Sequence, residues 1–162
     1  MKTPKIILVF GLPGSGKSFF ASRLAIELKC AYVNSDQVRL RMFSERTYTE
    51  VEKEKVYAEM LSTAHKAHQE NNELVIDATF YKQAFREPYL KIPNHFFIEI
   101  TAADHIIKER LARPRVFSEA DYSVYQKIRN EWEPFHEYHL VMESTQTNIY
   151  EMLSKAKQYL GV

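Results

Sequence analysis

Ile6-Ile7-Leu8-Val9-Phe10-Gly11-Leu12-Pro13-Gly14-Ser15-Gly16-Lys17-Ser18 is the stretch on which the fold turns. Its first five residues are an unbroken apolar run, the pattern of a strand buried on both faces. Its last eight fit G-x-x-x-x-G-K-[ST]. A backbone that curls until several N–H groups face one phosphate pair needs residues without Cβ. The helix that follows adds the positive end of its dipole. In that pattern Lys17 offers a point charge to the β- and γ-phosphates, and the Ser18 hydroxyl is a ligand for magnesium, Mg²⁺. Gly11, Pro13, Gly14, Ser15, Gly16 and Phe19 complete the expected nucleotide contacts. A helix over Ser18–Lys29 is expected, because Phe20, Ala21, Leu24, Ala25 and Leu28 recur at helical spacing. Strand, loop and helix together predict binding of ATP or GTP with Mg²⁺.

Composition sharpens this reading. The 162 residues include only 4 glycines, where average usage would give roughly 11. Three of the four lie in that loop. Hydrophobic residues make up 45% and the formal net charge is +1, which describes a globular chain without the basic excess that holds nucleic acid by phosphate contacts alone. One cysteine, Cys30, excludes a disulfide framework and a cysteine metal cluster. No run of about 18 apolar residues is present to span a membrane. The first residues are too short for a signal-peptide core. The expectation is therefore one cytoplasmic domain over residues 1–162, a monomer with no membrane and no obligate protein partner.

Working outward, strand and helix patterns alternate. Strands are expected at Ala31–Val33, Glu73–Asp77, His95–Ile100 and His139–Met142. Helices are expected over Ser35–Phe43, from a Thr49–Glu52 capping box to about Asn71, around Ala103–Leu111, over Ala120–Glu131 and from about Asn148 to Leu160. This predicts a three-layer α/β fold of the P-loop NTPase class, a five-stranded parallel sheet with helices on both faces. Chemistry should lie at the carboxyl ends of the strands, after Phe10, Val33, Asp77 and Ile100.

Asp36 comes straight off the second strand, where a carboxylate can orient an acceptor hydroxyl and take its proton. Arg39 shares its helical face and could hold a polar or anionic part of the substrate. The alternative is that Ser35 or Asp36 caps a helix and Arg39 is surface charge. Leu74-Val75-Ile76-Asp77 is an apolar strand ending in an acid, placing Asp77 near Mg²⁺ or its water, with Thr79 on the rim. Arg86 reads as a substrate contact or an ordinary surface arginine. Arg110, Arg113 and Arg115 cluster over a lid at about residues 112–119, where an arginine can neutralise transition-state charge. The pairs His65/His68 and His136/His139 have no third metal ligand nearby, and Tyr32, Tyr57 and Trp132 read as core. Asp36–Lys55 carries five basic and five acidic residues, not the one-signed stripe of a polynucleotide groove. That balance tilts toward a small acceptor.

The set Gly11–Ser18, Asn34-x-Asp36-x-x-Arg39, Val75-Ile76-Asp77-Ala78-Thr79 with Arg86, and Arg110-Leu111 with Arg113 resembles the small P-loop kinases of the polynucleotide-kinase and zeta-toxin type. The stretch from Ser118 to Pro134, with His139-Leu140-Val141, is similar to stand-alone bacterial members. The resemblance implies an ATP-dependent kinase. Asp36 would be its general base and Arg39 its substrate-binding arginine. Lys17 and Ser18 would hold phosphate and metal. One arginine of Arg110 to Arg115 would reach the ATP phosphates. The segment Asp77-Ala78-Thr79 departs from the serine-aspartate-threonine pattern of phage polynucleotide kinase, shifting the acid by one position. No phosphatase domain accompanies these motifs, so an end-healing role is not expected. The competing expectations are a polynucleotide 5′-hydroxyl kinase, a sugar-nucleotide kinase of the zeta-toxin kind, and a nucleotide switch with no acceptor.

Overall fold

Strands β1 (Ile6–Phe10), β2 (Ala31–Asn34), β3 (Leu74–Ala78), β4 (His95–Ala102) and β5 (Leu140–Ser144) form one parallel sheet in the order β2-β3-β1-β4-β5. The structure is a computed structural model and describes residues 2–114 and 120–162. Seven helices connect or follow the strands among these residues: α1 (Lys17–Leu28), α2 (Ser35–Met42), α3 (Glu50–Gln69), α4 (Gln83–Arg86), α5 (Asp104–Leu111), α6 (Tyr122–Glu131) and α7 (Ile149–Leu160). This is the α/β P-loop NTPase architecture.

The two faces of β1 account for its unbroken apolar run. Ile6, Leu8 and Phe10 pack into one cluster with Val56, Met60 and Ala64 of α3 and with Phe97 and Phe135. Ile7 and Val9 pack into the other, with Phe20 and Leu24 of α1 and Met152, Leu153 and Ala156 of α7. Each such fully buried side chain contributes about 1.5–3 kcal/mol. A smaller cluster of Ile107, Leu111 and Tyr125 takes in Leu12 of the loop after β1. Parallel pairing of β1 with β3 and β4 brings the ends of these strands to one edge, and the loops after β1, β2 and β3 meet there.

Helix starts are fixed by specific side chains. Asn34 caps α2, its Oδ1 accepting the N–H of Asp36 at 2.9 Å and of Gln37 at 3.3 Å. Neither Ser35 nor Asp36 serves as the N-cap. Thr49 caps α3 by accepting the Glu52 N–H at 3.2 Å. The return arm of the expected capping box goes elsewhere: the Glu52 carboxylate accepts from Thr47 N at 2.7 Å and from Thr47 Oγ1 at 2.9 Å. β4 runs two residues beyond Ile100, and β5 is shifted to end at Ser144. The four residues of α4 and the 3₁₀ turn Glu87–Lys91 carry too short a period to be read from sequence. The expected lid falls mostly on residues 115–119, outside the described residues.

Candidate nucleotide and acceptor site

The loop after β1 is closed against α5 and the end of β5. Gly14 and Gly16 have φ of 78° and 91°, left-handed values that favour glycine. A Cβ at Gly14 would lie 3.0 Å from Ile107 Cγ2 and Leu111 Cγ; one at Gly16 would lie 2.9 Å from Ser144 Oγ and 3.0 Å from Arg110 Nη1. Ser144 Oγ donates to the Ser15 carbonyl at 2.5 Å. Arg110 donates to the Gly14 carbonyl at 3.1 Å, to Ser144 Oγ at 2.9 Å and to the Thr145 carbonyl at 3.1 Å. Two loop carbonyls are therefore tied outward by side chains 96 and 129 residues away in sequence. Burial lowers the Arg110 pKa, but three carbonyl or hydroxyl acceptors satisfy the guanidinium. Arg110, expected on the nucleotide, instead braces the loop that would hold it.

Ser18, Asn34, Asp77 and Tyr32 form a second unit. Asn34 Nδ2 donates to Asp77 Oδ2 at 2.7 Å and lies 3.2 Å from Ser18 Oγ. Tyr32 donates to the same Asp77 oxygen at 2.6 Å. Burial, with the Asp77 charge beside it, pushes the Tyr32 hydroxyl far above its ordinary pKa, so it remains a donor at any working pH. Asp77 is fully buried and its Oδ1 has no hydrogen-bond partner among the described residues. Ser18, Tyr32 and Asn34 line the cavity described below, whereas Asp77 stands behind them. Tyr32 was expected in the core; nothing in its position in the sequence signals the bond to Asp77.

Asp36 and Arg39 form the third unit on α2. Arg39 Nη1 lies 3.5 Å from Asp36 Oδ1, and its Nε lies 3.0 Å from Glu52 Oε1, an ion-pair distance off the line of a hydrogen bond. The guanidinium carbon is 4.8 Å from the centre of the Tyr48 ring. Burial opposes charge on Glu52, yet hydrogen bonds from Thr47 and Tyr48, with Arg39 beside it, hold its carboxyl below the usual range. Arg39 is thus a buried, clamped cation and not surface charge.

One cavity of about 680 Å³ joins these units. Lys17, Ser18, Asn34, Asp36, Arg39 and Thr79 all line it, with Pro13 and Phe19 at the loop end and Val124 and Lys127 of α6 across from them. Thr79 Oγ1 is 3.1 Å from the Tyr57 hydroxyl, and Tyr57, expected only in the core, also lines the cavity. Other expected residues do not reach it. Arg86 is fully buried, donates to the carbonyls of Phe80 and Glu133 at 2.6 Å each, and lies within 5.5 Å of the ring centres of Phe10, Trp132 and Phe135. It does not line the cavity: its Nε and Nη2 are bound to loop carbonyls, and its buried Nη1 has no hydrogen-bond partner among the described residues. Arg113 is exposed and pairs with Glu109 at 3.1 Å along its own helix turn. Arg115 lies outside the described residues.

The residues present fit a nucleotide with Mg²⁺. A glycine loop packed too closely on its neighbours to admit Cβ atoms, an unpaired buried carboxylate oxygen on Asp77 and Ser18 lining the cavity are features such a group needs. Among the described residues no three His, Cys, Asp or Glu side chains gather as a metal site. Among the same residues no helix is long and apolar enough to cross a membrane.

Residues 6–134 match the profile of a family described as AAA domain. The chain resembles several solved structures over nearly its whole length. One is a sugar kinase from Janibacter sp. HTCC2649, 16% identical, covering 99% of this chain and 96% of that one, TM-score 0.77. A gluconokinase from Sinorhizobium meliloti 1021 is 19% identical over 99% and 94%, TM-score 0.75. An APS kinase from Mycobacterium tuberculosis, in complex with AMPPNP and APS, is 15% identical over 100% of both chains, TM-score 0.76. No curated protein matches the chain in sequence.

Proposed function

The chain belongs to the AAA domain family, and on that premise we propose that it is an ATP-dependent kinase that moves the γ-phosphate of ATP to a hydroxyl of a small acceptor. The observation that carries the proposal is that Asp36 lines the same cavity as Lys17 and Ser18. A switch without an acceptor has no need of a carboxylate there.

In this reading the N–H groups of the loop and Lys17 hold the β- and γ-phosphates. Ser18 would ligate Mg²⁺ directly, with Asp77 behind it accepting from a metal-bound water through its unpaired oxygen. When bound, Mg²⁺ supplies charge neutralisation at the phosphate oxygens. Asp36 orients the acceptor hydroxyl and takes its proton as the new O–P bond forms and the bridging bond to ADP breaks, while Arg39, 3.5 Å from that carboxylate, aims it. Arg113 or Arg115 would supply the positive charge that stabilises the transferred phosphate. A cavity of about 680 Å³ falls within the range of small-molecule sites, which favours a small acceptor over a polynucleotide end. The similar structures described as sugar kinase, gluconokinase and APS kinase are in line with this. The polynucleotide and sugar-nucleotide kinase readings differ only in the acceptor.

Transfer from labelled ATP across 5′-hydroxyl oligonucleotides, nucleosides, sugars and sugar acids tests the proposal. Transfer to a small hydroxyl compound that Asp36→Asn abolishes is expected. Acceptor-independent hydrolysis alone, unchanged in Asp36→Asn, would overturn it.

A further inference from the structure

We infer, resting on the kinase reading above, that the acceptor is itself an anion, a small hydroxylated molecule whose phosphate, sulfate or carboxylate group docks at Lys53 and Lys127. Among the described residues the cavity wall carries five cationic side chains, Lys17, Arg23, Arg39, Lys53 and Lys127, against one carboxylate, Asp36. The whole chain has a net charge of +1, so positive charge is concentrated at this one place.

The five cations do not have the same work. Lys17 belongs to the phosphate loop. Arg39 is already held between Glu52 and Asp36. Arg23 stacks on the Phe19 ring at 3.3 Å and donates to the Phe19 carbonyl. The other two are Lys53 and Lys127. Lys53, on α3, keeps only 14% of its side chain exposed. Its Nζ lies 5.1 Å from the centre of the Tyr81 ring and donates to the Tyr81 hydroxyl at 3.2 Å. Its acid partner Glu50 is 3.4 Å away, is 54% exposed, and is shared with Lys82 at 3.5 Å. Glu50 is thus divided between two ammonium groups, and the Glu131 charge also acts on Lys82. Lys127, across the cavity on α6, has no ion pair with any described residue.

A nearly buried ammonium with half a counter-ion keeps hydrogen-bonding capacity for a ligand. An anionic group there makes short, charge-assisted bonds that a neutral hydroxyl cannot equal. The remaining wall is aromatic, with Tyr48, Tyr57 and Tyr81, and Tyr81 fixes Lys53 in place. Tyr81 is itself pushed up to about 12 by burial and by Glu50, so its hydroxyl is neutral at working pH and adds no negative charge to the pocket. A neutral sugar or nucleoside would offer no charge to Lys53, whose acid partner Glu50 is shared, or to the exposed Lys127. The acceptor would thus be recognised at two points, its hydroxyl by Asp36 and its anion by Lys53 with Lys127.

Acceptor pairs in which one member gains an anion test this: glucose against gluconate, glucose against glucose 6-phosphate, and a nucleoside against its 3′-monophosphate. Transfer from labelled ATP and isothermal titration into AMPPNP-loaded protein are both measured. The anionic member of at least one pair is expected to exceed its neutral partner by at least about tenfold in kcat/KM and in affinity. Lys53→Gln and Lys127→Gln are expected to collapse that preference to under about threefold, and Lys53→Arg to restore most of it. Far-UV circular dichroism reports whether each variant is folded. Neutral members that match or exceed the anionic ones, or variants that weaken both members equally, would overturn the inference. Anionic members that bind in a Lys53-dependent way without accepting phosphate would sustain the anion site and refute the kinase reading. Absence of binding by every anionic member would refute the anion site whatever the transfer assay gives.

Discussion

Asn34 Nδ2 donates to Asp77 Oδ2 across 2.7 Å, linking the ends of two neighbouring strands directly behind Ser18. The same side chain caps α2 with its other end, so one residue orients both the acid behind Ser18 and the helix that carries Asp36 and Arg39. Asn34→Ala removes the cap and leaves a fully buried carboxylate short of a donor, and should cost about 2 kcal/mol or more in urea unfolding. The Mg²⁺ concentration needed for half-maximal activity should rise with it. Unchanged stability would show that this bond contributes nothing.

The brace on the phosphate loop gives a separate expectation. Ser144→Ala removes the donor to the Ser15 carbonyl and an acceptor for Arg110. Neither side chain lines the cavity, so any effect on nucleotide must travel through the loop. ATP affinity, followed with a fluorescent nucleotide, should weaken about tenfold in Ser144→Ala and in Arg110→Ala, and the double variant should be no worse than about the stronger single one. Additive losses would mean that the two act independently.

Glu52 makes stability depend on pH in a definite direction. Its folded pKa lies below the ordinary value of 4.5. Its contribution is therefore fully present above 4.5 and is lost as the pH falls through the lower folded value. Urea unfolding of the wild type and Glu52→Gln should differ most near neutral pH and converge on acidification. A gap that widens toward low pH would reverse the sign.

Arg86 should behave as a structural residue. Arg86→Ala empties a site among three aromatic rings and strands the carbonyls of Phe80 and Glu133, at a cost of about 3–5 kcal/mol in thermal or urea unfolding. Acceptor KM in the folded fraction should change little. A raised KM with an unchanged melting temperature would put Arg86 back in the substrate site.

What could be read in the sequence divides along one line. The loop, the buried strand before it and the five-strand order of elements follow from local pattern, because glycine spacing and a continuous apolar run are properties of adjacent residues. Asp36 and Arg39 were legible as a pair because they share one helix turn. Arg86 misled because an arginine near a strand end reads as polar, while its burial depends on Phe10, Trp132 and Phe135 from distant segments. Ser144 and Tyr32 gave no local signal, since their partners are 129 and 45 residues away, and Asn34, legible within its motif, hid a bond to an acid 43 residues away. The five-against-five charge of Asp36–Lys55 concealed a cationic cavity for the same reason: its wall is gathered from α1, α2, α3 and α6. His139, set aside with His136, pairs with Glu99 at 2.9 Å through a strand-to-strand contact that no spacing reveals.

The role of Asp36 as the acceptor's base is tested most directly by measuring single-turnover phosphate transfer and ATP affinity on the same preparations of wild type and Asp36→Ala. Transfer should fall by about 10²–10⁴-fold while ATP affinity stays within about twofold, because Asp36 acts on the acceptor and not on the nucleotide. Equal losses in both, or transfer that survives the substitution, would contradict it.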